Sequence, residues 1–302
     1  MTVAQSRQPA ATWRALSADA RWLATVRTLG IRGRVHSVFD RVANVEDHRG
    51  ELFSVATRDV DNAPNTLVID LRTFGAHEVR EGDRVMGTVR SLEMGKHAVV
   101  ALDTAVAWHP RRTPYPHDDA RLEQNLLLAR RHAAGAFGRN THVAPPGLGT
   151  RLDVLRDQLG AALSSGAVTA ARSCAIAMAG LGSGLTPSGD DVLLGVFAVL
   201  NIDASPCARL RPLCTDIVAD LGGRTNAISV AALRTAAEGR VRESIDTLLT
   251  ALMTGDERSV RRALDRVLAI GSTSGADIVA GIVTGFDANL QATESRSVRV
   301  AG

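Results

Sequence analysis

The sequence changes character at a short segment that carries three prolines, residues 109–116 (HPRRTPYP). Before this segment, runs rich in Val, Ile, Thr and Phe alternate with polar residues, which is the pattern of short β-strands. After it, apolar residues recur at helical spacing between breaks that carry Gly, Pro or Ser. Because proline continues neither a helix nor a central strand, the sequence predicts a linker at 111–117 between a β-rich and a helical domain.

The two parts predict an α+β protein, with a small N-terminal antiparallel β-barrel followed by a larger all-α helical domain. Turn residues separate the strand-like runs, a spacing typical of a small barrel over residues 30–110. These runs are residues 31–38, 51–57, 66–72, 84–91 and 97–107. The apolar spacing of 12–29 predicts a helix, so residues 1–29 are expected to form an N-terminal helical extension.

The helical domain is predicted over residues 118–292, with seven to nine helices and a flexible tail at 293–302. Its periodic segments are 122–136, 151–163, 167–179, 188–202, 208–221, 226–238, 241–253, 257–269 and 275–290. Gly and Ala are abundant inside them, so close helix packing is expected.

The composition of the 302-residue chain predicts a cytoplasmic globular protein. No apolar run is long enough to cross a membrane, and residues 1–12 lack the apolar core of a signal peptide. The three cysteines do not have the spacing of a zinc site. The net charge is only +3 and aromatic residues are few, which does not favour nucleic-acid binding.

A nine-residue pattern occurs twice in the helical part. Residues 188–196 (SGDDVLLGV) are echoed 86 positions later by residues 274–282 (SGADIVAGI). The first copy follows a glycine- and hydroxyl-rich stretch, residues 180–187 (GLGSGLTP), and the second follows residues 271–273 (GST). A loop of this kind that opens into a helix can hold an anion with backbone N–H groups. The pair of turns therefore predicts one composite anion site.

Helix capping is the competing interpretation of the repeat. Ser188 with Asp191, and Ser274 with Asp277, each fit a capping box, in which serine binds the backbone N–H three residues on and the acid reaches back. The two acids are therefore candidates both for capping and for catalysis.

Asp190 is not explained by capping, because its counterpart in the second copy is Ala276. A carboxylate beside an anion loop is expected to bind a metal, accept a proton or pair with an arginine. The candidate catalytic residues are therefore Asp190, Asp191 and Asp277, and Mg²⁺ is the metal that Asp190 and Asp191 would hold. We expect an asymmetric site, in which the first turn carries the chemistry and the second frames it.

A third glycine-containing turn, residues 221–229 (LGGRTNAIS), precedes another predicted helix. Thr225 is a candidate N-cap, and Arg224 is a candidate for bidentate contact with a carboxylate or phosphate. A routine helix cap with a surface arginine is the alternative. Over the three turns, the candidate anion-binding residues are Gly182, Ser183, Gly184, Thr186, Ser188, Arg224, Thr225, Asn226, Ser272, Thr273 and Ser274.

These motifs and the barrel-then-helices layout resemble the AllH family of bacterial oxamate carbamoyltransferase subunits, over roughly residues 30–290. The resemblance implies carbamoyl transfer between oxalurate and phosphate, giving oxamate and carbamoyl phosphate. It also implies partner subunits, one of them similar to an acyl-CoA synthetase. The matching positions are Gly182, Gly184, Thr186, Ser188, Asp190, Asp191, Thr225, Asn226, Ser274 and Asp277.

The sequence thus predicts an enzyme or enzyme subunit that acts on a small anionic substrate within a multi-subunit complex. The alternative is a non-catalytic ligand-binding or assembly subunit. A Mg²⁺-dependent phosphohydrolase also fits the adjacent acids, but neither a clear nucleophile nor a metal-ligand cluster accompanies them.

Overall fold

The computed structural model describes residues 11–75, 79–96, 98–111, 113–116, 118–137 and 148–301. Residues 1–10 of the predicted extension and residues 112 and 117 of the predicted linker therefore lie outside the described residues. The chain divides into two units, Met1–Pro110 and Arg111–Gly302.

The first unit is a β-barrel with one helix. Its elements are β1 (Ala11–Asp19), α1 (Ala20–Leu29), β2 (Ile31–Val38), β3 (Val42–Asp47), β4 (Leu52–Thr57), β5 (Thr66–Ile69), β6 (Arg84–Gly87), β7 (Ser91–Met94), β8 (Ala98–Ala101) and β9 (Val106–Trp108). The sheet order is β5-β4-β3-β2-β6-β7-β8-β1-β9, and a further pairing of β5 with β1 closes eight of the strands into a barrel. The predicted barrel is therefore confirmed.

Most strand pairs of the barrel are antiparallel, as expected, and three are parallel. The parallel pairs are β1–β8, β1–β9 and β4–β5. β1 closes the barrel because it pairs with β5 along one edge and with β8 and β9 along the other.

The predicted helix over 12–29 is wrong in its first half, because β1 occupies Ala11–Asp19. In β1, buried Trp13 and Ala15 alternate with exposed residues, which is the period of a strand. Asp19 then starts α1 by accepting a hydrogen bond from the Arg21 backbone N–H. The helix was predicted from the large apolar residues of the segment, which fit a helical spacing. The alanines of β1 that face the barrel core are too small to give a recognisable strand pattern.

The second unit is helical. Its elements are α2 (Asp119–Phe137), α3 (Leu148–Ser165), α4 (Val168–Met178), α5 (Ser188–Leu200), a short 3₁₀ helix (Ala208–Leu210), α6 (Arg211–Ala219), α7 (Ala227–Ala237), α8 (Glu243–Thr254), α9 (Glu257–Leu268) and α10 (Ser274–Ala301). The predicted all-α domain is confirmed. Residues 293–301 continue α10, so the predicted tail begins inside a helix.

Helix α5 lies in the core of the helical unit, with eleven of its thirteen residues buried. It packs against α10 and also contacts α7, α4 and α6. Within the described part of the chain, no helix has the length and apolar character needed to span a membrane.

Candidate functional site

The two copies of the repeated pattern form the N-terminal parts of α5 and α10, which pack directly against each other. A methyl group at Gly195 would lie 2.3 Å from the Ile278 carbonyl oxygen, and one at Gly281 would lie 2.0 Å from the Val192 carbonyl oxygen. Further along, Gly285 meets the Val199 side chain. The contacts of Val192 and Gly195 with residues 278–282 are followed along both helices by that of Val199 with Gly285, so the helices are parallel and their N-termini lie together.

The repeat extends back into the turns that precede the two helices. The Gly189 N–H donates to the Leu181 carbonyl at 2.8 Å, and the Gly275 N–H donates to the Ile270 carbonyl at 3.0 Å. Thus α4–α5 and α9–α10 are two copies of one helix–turn–helix unit. The first turn is the longer by three residues, counted from Leu181 to Ser188 and from Ile270 to Ser274.

Each serine of the repeat pairs with the aspartate of the other helix. Ser274, at the start of α10, is hydrogen-bonded to Asp191 of α5, whereas Ser188, at the start of α5, is hydrogen-bonded to Asp277 of α10. Thr186 joins this cluster, since its hydroxyl is 2.8 Å from the Ser274 hydroxyl and also bonds Asp191.

The capping-box interpretation does not describe the first copy. Pro187 occupies the N-cap position of α5, without a side-chain cap, and Ser188 is already helical. The Asp191 backbone N–H donates to the Pro187 carbonyl at 3.2 Å instead of to a serine hydroxyl. The Ser-x-x-Asp spacing therefore serves contacts between α5 and α10. We call Thr186, Ser188, Asp191, Ser274 and Asp277 the crossed cluster.

Asp191 is the most deeply buried carboxyl group of the crossed cluster, with 5% of its surface exposed. Its Oδ2 atom is buried without a hydrogen-bond partner. Burial raises the pKa of Asp191 to about 7, against the lowering effect of the Ser274 and Thr186 hydrogen bonds, and the nearby Asp277 raises it further. Protonated and ionised forms of this carboxyl group therefore coexist near neutral pH.

Asp277 lies in a similar environment but is less deeply buried. Burial raises its pKa to about 6, while the Ser188 hydrogen bond and the nearby Arg156 guanidinium lower it. Its Oδ2 atom is also buried without a partner. Arg156, on α3, did not emerge from the sequence, because only the packing of α3 against α10 brings it to this place.

Asp190 is bound by the protein on both oxygens. Its Oδ1 accepts a hydrogen bond from the Gly180 N–H at 2.9 Å, and its Oδ2 accepts one from the Thr225 hydroxyl. The side chain is 3% exposed. Asp190 therefore ties the first turn to the start of α7, a geometry that favours a positioning role over direct chemistry.

The first turn contains backbone N–H groups that have no protein acceptor in the described part of the chain. Ser183 and Gly184 are exposed, and Gly182 and Gly184 have φ of 122° and 105°, which favours glycine. Among the described residues, the N–H groups of Gly182, Ser183 and Gly184 donate to no protein acceptor. Such a run of free donors is suited to an anion.

The third turn lies beside the first. A methyl group at Gly180 would collide with the Arg224 carbonyl oxygen, at 2.1 Å, and the Asn226 amide donates to the Leu185 carbonyl at 2.8 Å. The predicted N-cap was wrong by one residue, because Asn226 caps α7 by accepting from the Ser229 N–H. Thr225 binds Asp190 instead.

Arg224 is exposed, and its guanidinium pairs with no carboxylate among the described residues. It thus provides an uncommitted positive charge beside the first turn. In the second turn, the Thr273 carbonyl accepts hydrogen bonds from the Ala276 and Asp277 N–H groups, next to exposed Ser272.

Within the described ranges, no three His, Cys, Asp or Glu side chains are grouped as ligands for a metal ion. A Mg²⁺ ion at Asp190 and Asp191 would need most of its oxygen ligands from water or substrate, and Asp190 would have to exchange its present partners. This Mg²⁺ site stays a prediction.

Family models match both units of the chain. The model described as "oxamate carbamoyltransferase subunit AllH" matches residues 178–286, which contain the crossed cluster and all three turns. The model described as "AllH family N-terminal domain" matches residues 14–107, which form the barrel. No solved structure matches the chain. With both parts of the family present in order, the chain belongs to the AllH family of oxamate carbamoyltransferase subunits.

Proposed function

We propose that this chain is a carbamoyltransferase subunit whose site lies at the joined N-termini of α5 and α10. Its substrates would be phosphate and a small carboxylate that carries a carbamoyl group, with oxalurate as the representative. The supporting observation is that a buried carboxyl group with an unpartnered oxygen, Asp191, lies where two parallel helices begin.

Two helix N-termini at one place favour anions. Each contributes partial positive charge from its helix dipole, and parallel packing of α5 with α10 adds the two contributions. The free N–H groups of Gly182, Ser183 and Gly184 would bind the phosphate oxygens, with Arg224 beside them. Asp190 would hold this turn in shape through its bonds to Gly180 and Thr225.

The transfer moves one proton between the reacting groups. An oxygen of hydrogen phosphate attacks the carbamoyl carbon of oxalurate, and the bond from that carbon to the amide nitrogen breaks. The phosphate gives up its proton and the leaving nitrogen takes one up, so oxamate and carbamoyl phosphate form without a net change in protons.

Asp191 is suited to pass this proton. A carboxyl group with a pKa of about 7 is a competent base and acid near neutral pH. Its ionised form would accept the proton from the attacking phosphate, and its protonated form would return it to the leaving nitrogen. Protonation would also remove the repulsion between the carboxylate and the bound anions.

The family is named for a subunit, so this activity is proposed for a complex with other chains. The decisive experiment measures the formation of labelled carbamoyl phosphate from labelled oxalurate and inorganic phosphate by that complex. We compare complexes that carry the wild-type chain, Asp191→Asn and, as a surface control, Asp265→Asn. The Asp191→Asn complex should lose about 100-fold or more in kcat, together with the inflection near pH 7 in the kcat–pH profile.

Full activity of the Asp191→Asn complex would contradict the proposal. It would instead favour the alternative, in which this chain binds ligand or assembles the complex and another subunit carries out the chemistry. The Asp265→Asn control, an exposed aspartate on α9, should keep wild-type activity.

A further inference from the structure

The second turn of the repeat is shorter than the first, and Ala276 stands where the first copy has Asp190. A carbamoyl transfer of the proposed kind brings two anionic groups into one site, the phosphate and the carboxylate of the second substrate. The first turn and Arg224 account for the phosphate. A cationic side chain on the side of the second turn would suit the carboxylate.

Helix α3 supplies such a group. It packs against α10, where a methyl group at Gly160 would lie 3.3 Å from the Thr284 side chain. Arg156 lies one turn before Gly160 on the same face of α3, and Asp277 lies two turns before Thr284 on the same face of α10. Arg156 is close enough to Asp277 to lower the pKa of its carboxyl group.

Two ion pairs hold the Arg156 guanidinium in place, and both are weak. It pairs with Asp153 at 2.7 Å and with Asp157 at 3.5 Å, and only 27% of its side chain is exposed. Both partners are mostly exposed, at 60% and 76%, so water screens the two ion pairs. A guanidinium in this state can exchange a screened pair for a bidentate contact with a substrate carboxylate.

The crossed cluster, whose Asp277 lies near Arg156, provides an independent indication of a ligand. The unpartnered Oδ2 of Asp191, a side chain that is 95% buried, lies in the crossed cluster between the two helix starts, and the unpartnered Oδ2 of Asp277 lies in the same cluster. We propose that Arg156 binds the carboxylate of the carbamoyl-donating substrate, and of the oxamate that it becomes, and selects substrates that carry one. This inference rests on the proposed function.

The test is calorimetric titration of the protein, in its complex, with oxamate, with its uncharged analogue oxamide and with inorganic phosphate. The variants are Arg156→Gln and Arg156→Lys, and Arg261→Gln on the exposed face of α9 is the matched control. Arg156→Gln should weaken oxamate binding about 30-fold and change phosphate binding less than about 2-fold, since one charged bidentate contact is lost.

Arg156→Lys should fall between the wild type and Arg156→Gln, because lysine keeps the charge and loses the fork of donors. Oxamide should bind equally weakly to the wild type and to Arg156→Gln. Unchanged oxamate binding by Arg156→Gln overturns the inference, as does an equal loss of phosphate binding. Thermal melting of each variant checks that the fold is kept.

The two proposals can fail separately. Oxamate binding that depends on Arg156, in a complex without carbamoyl transfer, would support this inference and contradict the proposed function. Carbamoyl transfer by the Arg156→Gln complex with an unchanged KM for the carboxylate substrate would support the proposed function and contradict this inference. A wild-type complex that does not bind oxamate overturns the inference.

Discussion

The two copies of the helix–turn–helix unit share their packing and differ at their ends. Both use a glycine to bring α5 and α10 together, at Gly195 and Gly281, and both place an aspartate opposite the serine of the other copy. The first copy adds a longer turn and Asp190, which binds Gly180 and Thr225. The second has a shorter turn and Arg156 nearby.

This difference separates the residues that join the two helices from the groups that would bind ligand. The shared features place one buried carboxyl group, Asp191, and one half-buried carboxyl group, Asp277, at two joined helix N-termini, a role that requires both copies. The unshared features would decide which anion each side receives, with the longer turn and Arg224 on one side and Arg156 on the other. The expected asymmetric site is thus retained as a proposal, and in it the crossed cluster would divide the chemistry between both copies.

The largest expected effect follows from the raised pKa of Asp191. Its folded value of about 7 exceeds the ordinary value of 3.8, so the folded state binds more protons between these values. The contribution of Asp191 to stability is therefore greatest below pH 4, falls as the pH rises to about 7, and is then constant. Asp191→Asn should remove this loss and stabilise the protein by up to about 4 kcal/mol at pH 8.

Urea unfolding of the wild type and Asp191→Asn at pH 4, 6 and 8 measures this gain. Asp277→Asn provides the comparison between the copies. Its gain should be smaller and complete near pH 6, because the folded pKa of Asp277 is only about 6. Curves for the wild type and Asp191→Asn that run parallel from pH 4 to pH 8 would contradict the raised pKa.

The second effect tests the shared helix contact. Gly281→Ala should destabilise the protein by about 3 kcal/mol, because the new methyl group meets the Val192 backbone, which cannot move aside as a side chain can. Thermal unfolding measures the loss. Gly222→Ala is the control, since a methyl group there has no atom within 4 Å, and it should be nearly neutral.

The third effect tests the bonds that only the first copy has. Asp190→Ala should cost about 2 kcal/mol, because the Gly180 N–H and the Thr225 hydroxyl both lose their acceptor. Hydrogen exchange should show the loss of protection at Gly180. Thr225→Val removes one of the two bonds and should cost less. A stable Asp190→Ala variant with an unaltered turn would refute the positioning role.

The smallest effect distinguishes crossed pairs from capping boxes. Ser274→Ala should raise the pKa of Asp191, and Ser188→Ala should raise that of Asp277, because each serine bonds the aspartate of the other helix. Each lost hydrogen bond should change the free energy of ionisation of its aspartate by about 1 kcal/mol. Carboxyl carbon resonances followed over a pH titration report both values. A capping box would give the opposite assignment, with Ser188→Ala acting on Asp191.

The barrel and the helices could largely be predicted from the sequence, because apolar periodicity and turn residues are local signals. β1 could not, since its inward-facing alanines fit neither period and its place in the barrel depends on distant strands. The serines and aspartates of the site were found as a repeated pattern. Their pairing was not, because a Ser-x-x-Asp spacing is the same whether the bond forms within one helix or between two.

The sequence by itself therefore determined which residues stand in the repeated pattern and in which elements they lie. Only the tertiary structure decided their partners. The close approach of α5 and α10 at Gly195 and Gly281 brings Ser188 to Asp277 and Ser274 to Asp191, and removes part of the water around both carboxyl groups. The physical reason is that desolvation and charge proximity depend on distances in space, which positions 86 residues apart do not specify.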